Sequence, residues 1–260
     1  MLYSRIIIIV LLSNLSLSLH AQWGQYEATW ENEPGIMSVN LDIKKLAPVR
    51  ELSFLLEVTQ RGIECDDNGI LGGKDLSLSE ERAVDIDSIL STAMYVEDVG
   101  TLLYQCEIKN YYYIQDSAVA YQILEALYGL SIDYKIVEDK RWKVYLEVIY
   151  PDDFLLQTMI NKRTFNQLHA EGFNFEEKTL LEHFASFSSE EDRHDYRRFL
   201  IQNNYKIIDN TLDPKAAHPY VISFSRKDML HLERLSNITL RLHQKAISLA
   251  GTYGGWGVEL

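Results

Sequence analysis

Basic residues are in short supply. Against 38 Asp and Glu stand 25 Lys and Arg, for a formal net charge of −13. The shortfall lies mostly between Gln22 and Tyr150, with 23 acidic and 11 basic residues; from Pro151 onward there are 15 and 13. An acidic first half argues against a nucleic-acid ligand, whose phosphates need a basic surface. It fits solubility or a basic partner. Motifs that announce chemistry are also missing. There is no His-Glu-x-x-His, no Cys-x-x-Cys and no Gly-x-Ser-x-Gly, and Gly72-Gly73-Lys74 is too short for a phosphate loop. The seven histidines are scattered, with no metal-ligand spacing on one helix face. No catalytic residue, cofactor or metal is therefore assigned.

Long apolar runs are absent beyond the amino terminus. That terminus carries Arg5, an apolar run from Ile6 to Leu12, a Ser/Leu stretch to Leu19, and then His20-Ala21-Gln22. A positive start, a short apolar core and a small residue before the cut form a secretory signal, with cleavage expected after Ala21. A retained anchor is the alternative, but a span needs roughly 18 apolar residues and Ser13, Asn14, Ser16 and Ser18 interrupt this one. The expectation is an exported protein, periplasmic or extracellular, with no membrane span after cleavage.

What is present is globular. With 47% hydrophobic residues the chain can bury real cores, and 260 residues suggest two domains. Alternation predicts strands at 36–43, 52–59, 102–114, 132–137 and 142–149. Helical spacing predicts helices from Ser77, with capping-box spacing to Glu80, and from Asp116 to Gly129. In Tyr111-Tyr112-Tyr113 alternate rings should be buried and exposed, the exposed one available to a partner. After Pro151 a helix is capped by Asp152 or Asp153 and ends near Gly172. A strand at 180–187, a helix capped by Ser188 or Ser189, strands at 205–208 and 220–224, and a helix over 228–250 follow. Gly251–Leu260 reads as a glycine-rich tail. Both halves alternate strands and helices. The fold class is α+β: two tandem ferredoxin-like α/β sandwich domains with antiparallel sheets, residues 22–150 and 151–260.

There are two cysteines. Export would permit a Cys65–Cys106 disulfide. Against it, Cys106 alternates with Leu102, Tyr104 and Ile108 as an inward strand position. The loop Glu64-x-Asp66-x-Asn68-Gly69, with Asp75, approaches the spacing of a twelve-residue calcium loop. It departs in having Glu at the first position and Asp at the twelfth. A polar loop with an Asn-Gly turn is the plainer reading. Acidic pairs such as Asp152-Asp153 suit helix starts. Gly251-Thr252-Tyr253-Gly254-Gly255-Trp256-Gly257 offers one large ring on a bending chain, either packed on its own domain or forming a binding edge.

Thr179–Phe187, with His183, Phe184 and Phe187, the capped helix to Phe199, and Gly251–Trp256 resemble the family of the regulator of ribonuclease E activity B. Ile36–Asp42 after Pro34-Gly35, the Ser79-Glu80-Glu81 helix start, the aromatic strand to Tyr113, and Trp142–Tyr150 resemble domain of unknown function 695. The resemblance implies a non-catalytic protein that binds another protein. The regulator's target is a cytoplasmic ribonuclease, from which a signal would separate this chain, and the matching half is nearly neutral rather than acidic. His183, Phe187, Tyr253 and Trp256 are the partner-binding candidates, the partner being an unknown protein. The alternative is a hydrolase or other enzyme with an interdomain-cleft site around His183.

Overall fold

The computed structural model describes residues 22–30, 33–127 and 132–258; the expected signal segment and Gly129 lie outside them. The chain divides into two compact units between Pro151 and Asp152.

The amino-terminal unit runs β1 (Trp23–Trp30), β2 (Glu33–Asn40), β3 (Phe54–Arg61), α1 (Gly73–Ala93), β4 (Val96–Tyr104), β5 (Glu107–Ile114), α2 (Ser117–Ala126) and β6 (Ile132–Glu138). Its six strands order as β1-β2-β4-β5-β3-β6, every neighbour antiparallel. From β3 onward this is β-α-β-β-α-β with the ferredoxin-like strand order, extended at one edge by the β1–β2 hairpin. Leu56, Val58, Tyr112 and Ile114 face Ile86 and Leu90 of α1 and Ala120 and Leu124 of α2. Asp116 caps α2, its carboxylate accepting from the amides of Ala118 and Val119.

Four expectations change here. The single strand 102–114 is a hairpin, because Gln105 and Cys106 take φ of 50° and 60° and reverse the chain. Residues 142–149 are not a strand. Trp142 is fully buried and stacks on Tyr113 at 3.9 Å, and Tyr145–Ile149 form a wide helical turn. That segment is pinned to the sheet: the Trp142 indole donates to the Leu52 carbonyl at 2.8 Å, and the Tyr145 hydroxyl to that of Asn40 at 2.7 Å. Because both sheet faces are covered, Tyr111, Tyr112 and Tyr113 are all buried and none is left for a partner. Finally, α1 begins at Gly73 rather than at a Ser77 cap; the Ser77 hydroxyl donates to the Gly73 carbonyl within the helix.

Asp98 of β4 is a half-buried carboxyl. Burial, reinforced by Asp87 and Glu97 against the Gly100 amide, pushes its pKa up to about 7. A folded-state pKa above the unfolded value means the folded state prefers the proton. The associated stability is complete below about pH 4 and is lost as pH rises through 7. A rise from 3.8 to about 7 is worth at most about 4 kcal/mol, and partial solvent contact reduces the expected effect to about 2 kcal/mol. Asp98→Asn, which keeps an acceptor for Gly100, should flatten urea stability between pH 4.5 and 8. An equally sloped profile in the variant would refute this.

The carboxy-terminal unit runs α3 (Asp153–Ala170), β7 (Lys178–Phe187), α4 (Glu190–Gln202), β8 (Lys206–Leu212), β9 (Tyr220–Met229), α5 (Leu232–Ile247) and β10 (Gly251–Val258). Its sheet orders β10-β7-β9-β8, all antiparallel. From β7 this is again β-α-β-β-α-β with the ferredoxin-like strand order, preceded by α3. Asp152 caps α3 by accepting from Leu155, and Ser189 caps α4 by accepting from Asp192. The expected tail is a strand. A Cβ on Gly251 would stand 2.3 Å from the Phe187 ring, so glycine lets β10 lie across it. Gly255, at φ 107°, sits where the register shifts after Tyr253.

Candidate functional site

The four partner-binding candidates come together, but inside. His183 and Phe187 point inward from β7 and Tyr253 and Trp256 from β10; none exceeds 6% exposure. The cause is the pleat: His183 shares its sheet face with Leu181, Ala185 and Phe187, and that face carries the core. The His183 Nδ1 lies 2.8 Å from the Tyr253 hydroxyl, and its ring stacks on Phe224 and meets Tyr205 edge-on. Its Nε2 is buried without a partner among the described residues. Burial, helped by Arg226, lowers its pKa to about 3, which keeps the ring neutral. A sealed, neutral imidazole is poorly placed to act as a base on a solvent-borne substrate.

Trp256 belongs to a network that the sequence did not reveal. Its indole N–H can only donate, and it donates to Asn161 Oδ1 at 2.9 Å. This orients the Asn161 amide, whose nitrogen donates to the Ser236 and Thr239 hydroxyls at 3.1 and 2.9 Å. Those hydroxyls donate in turn to the Leu232 and Leu235 carbonyls. Asn161 thus ties α3, α5 and β10 together from a fully buried position.

Charge reaches the surface beside α5. Asp228 is shared by Arg226 at 2.6 Å and Arg234 at 3.2 Å. The Arg226 guanidinium lies 4.2 Å over the Tyr205 ring. Tyr205, Arg226 and Arg241 line a pocket of about 50 Å³ with Phe199 and Asn203. It adjoins a shallow depression of about 680 Å³ along α5 that shares Ile238 and Arg241.

Two carboxylates of the candidate calcium loop have internal partners. Asp75 accepts from the amides of Ile63 and Glu64, which lowers its pKa, and Asp66 accepts from Asn68 and Ile70. Glu64, Asp66, Asn68 and Asp75 thus build a polar loop clamped to the start of α1. Among the described residues, no three His, Cys, Asp or Glu side chains cluster closely enough to hold a metal ion. The cysteines pair: Cys65 and Cys106 form a disulfide across 41 residues. Cys106 is accordingly a turn residue and not an inward strand position.

The architecture defines a two-unit α+β protein, each unit built on a ferredoxin-like β-α-β-β-α-β core. Residues 21–150 match the family of unknown function (DUF695), and residues 158–258 match the regulator of ribonuclease activity B. The chain belongs to the family of unknown function (DUF695) and carries a regulator-of-ribonuclease-activity-B domain behind it. No curated protein sequence matches it. A solved structure, the crystal structure of an unknown protein from Galdieria sulphuraria, covers 80% of this chain and 99% of its own at 11% identity and a TM-score of 0.22. That similarity is too low to bear on fold or function.

Proposed function

We propose that this protein is an exported, non-enzymatic interaction module that regulates another protein outside the cytoplasm. The observation that carries this is the state of His183. It is the one buried histidine among those described, it is held neutral, and among the described residues its ring has Tyr253 as its sole hydrogen-bond partner. The family name of the second half, a regulator of a ribonuclease activity, supports a role exerted by binding. Export is supported by the signal-like amino terminus and by a disulfide, a bond that persists in oxidising compartments. A cytoplasmic ribonuclease is then out of reach, and the acidic first half is unsuited to phosphate backbones. Among the described residues no helix is long and apolar enough to cross a membrane.

Two measurements test the proposal. Intact mass of the extracytoplasmic fraction should show a chain starting at Gln22; full-length protein in the cytosol would refute export. Cross-linking in cells should join the chain to one specific protein, and cross-links no richer than those of an unrelated exported protein would refute the interaction role.

A further inference from the structure

We infer that the groove along α5 is an acceptor for an acidic peptide segment of a partner protein, one carboxylate of which enters between Arg226 and Arg241. This rests on the interaction reading above and names the chemistry of the partner.

Guanidinium groups outnumber carboxylates along the groove. Arg226, Arg234 and Arg241 border the groove, whereas one carboxylate, Asp228, serves both Arg226 and Arg234. Arg241 is exposed and forms no ion pair with a described residue; its guanidinium rests over the Phe199 ring at 5.6 Å. Glu233, also exposed, lines the outer depression and not the inner pocket. At the inner pocket two guanidinium groups bear on one phenol. Burial, reinforced by Asp228, raises the Tyr205 pKa, while Arg226 and Arg241 oppose that rise. Arg226 is already committed to Asp228 and to the Asn203 carbonyl, so the Arg241 guanidinium is the group that takes the incoming carboxylate, by paired, charge-assisted hydrogen bonds.

Size selects the class of ligand. About 50 Å³ holds a few waters or one carboxylate and is far below the roughly 300 Å³ or more of a cofactor site. The adjoining depression is larger but open, and follows α5 from His231 to Arg241. A narrow socket at the end of an open trough suits an extended segment that inserts one side chain, rather than an enclosed small molecule. The chain's net charge of −13 does not prevent approach, because exposed charges beyond about 8 Å are largely screened at physiological salt. The half that carries the groove is nearly neutral.

The test uses the full mature chain and a fluorescein-labelled octapeptide of alternating Glu and Gly, read by anisotropy at 50 mM salt. Binding should weaken at least tenfold in Arg241→Glu, and less than twofold in Lys215→Glu, an exposed control in the β8–β9 turn, at the other end of that hairpin from Tyr205 and Arg226. Both positions are exposed, so circular dichroism should show both variants folded. No binding by the wild type, or equal binding by Arg241→Glu, would overturn the proposal. Displacement of the peptide by equimolar inorganic phosphate would also overturn it, since the site would then be a simple anion site. The cellular cross-linking partner separates the two readings. If that partner is retained undiminished by Arg241→Glu, the groove is refuted while the interaction role stands.

Discussion

Replacing Asn161 with alanine should cost the carboxy-terminal unit about 3 kcal/mol, although the residue touches no solvent and no ligand. The reason is asymmetry. The Ser236 and Thr239 hydroxyls keep their donations to the Leu232 and Leu235 carbonyls after the change. The Trp256 N–H does not keep its acceptor, and a buried orphan donor costs about 1–3 kcal/mol. A cavity between α3, α5 and β10 adds to that loss. Amide hydrogen exchange along β10 and α5 measures the change within this unit. A second pair of variants isolates the cause. Asn161→Leu fills the space but still strands the indole donor, so it should remain destabilised by about 2 kcal/mol. Trp256→Phe should then cost about 1–2 kcal/mol less in the Asn161→Leu background than in the wild type, because the donor it removes is already unpaired. Equal costs in both backgrounds would mean that the bond contributes nothing.

This network has no local signature in the sequence. Helix starts and the faces of regular strands were readable because they depend on local rules. Asp116, Asp152 and Ser189 each cap the helix that follows, and alternation along Leu181, His183, Ala185 and Phe187 defined one face of β7. That alternation already placed His183 on the apolar side, so its burial was written in the pattern even though a partner surface was expected. Asn161 left no such trace. Its partners lie 75, 78 and 95 residues away, and an Asn in a helix carries no mark of what it will meet. The hairpin at Gln105-Cys106 was hidden because neither residue is a usual left-handed turn former. Trp142–Ile149 alternates like a strand, yet its anchors are the Leu52 and Asn40 carbonyls, supplied by distant segments. In β10 the glycines suppress any intrinsic strand preference, and pairing with β7 supplies what the side chains do not. Likewise the α5 groove joins Tyr205, Arg226 and Arg241, three positions with no shared local pattern.

Reducing the Cys65–Cys106 disulfide should lower the stability of the amino-terminal unit by about 2–4 kcal/mol while leaving its fold intact. A cross-link spanning 41 residues removes loop entropy from the denatured chain worth about 4 kcal/mol, and native-state adjustments commonly reduce the gain. The native loop has other holds. The Gly62 amide donates to the Cys106 carbonyl at 2.9 Å, the Cys106 amide donates to that of Gly69 at 2.7 Å, and Leu71 is buried at 2% exposure. The folded state therefore keeps its contacts and the cost falls on the unfolded side. Hydrogen exchange along β3 and β5, with and without a phosphine reductant, reads the effect. β7 and β9 amides serve as reference, since their unit has no cysteine. The Cys65→Ser/Cys106→Ser double variant should match the reduced wild type and ignore the reductant. Unchanged exchange in both would show that the backbone contacts alone hold the loop. The expected loss is a large share of the 5–15 kcal/mol that a domain typically has. The amino-terminal unit is therefore most stable where the bond persists. The same comparison thus measures how much the amino-terminal unit depends on an oxidising compartment, which is where the proposed signal would deliver it.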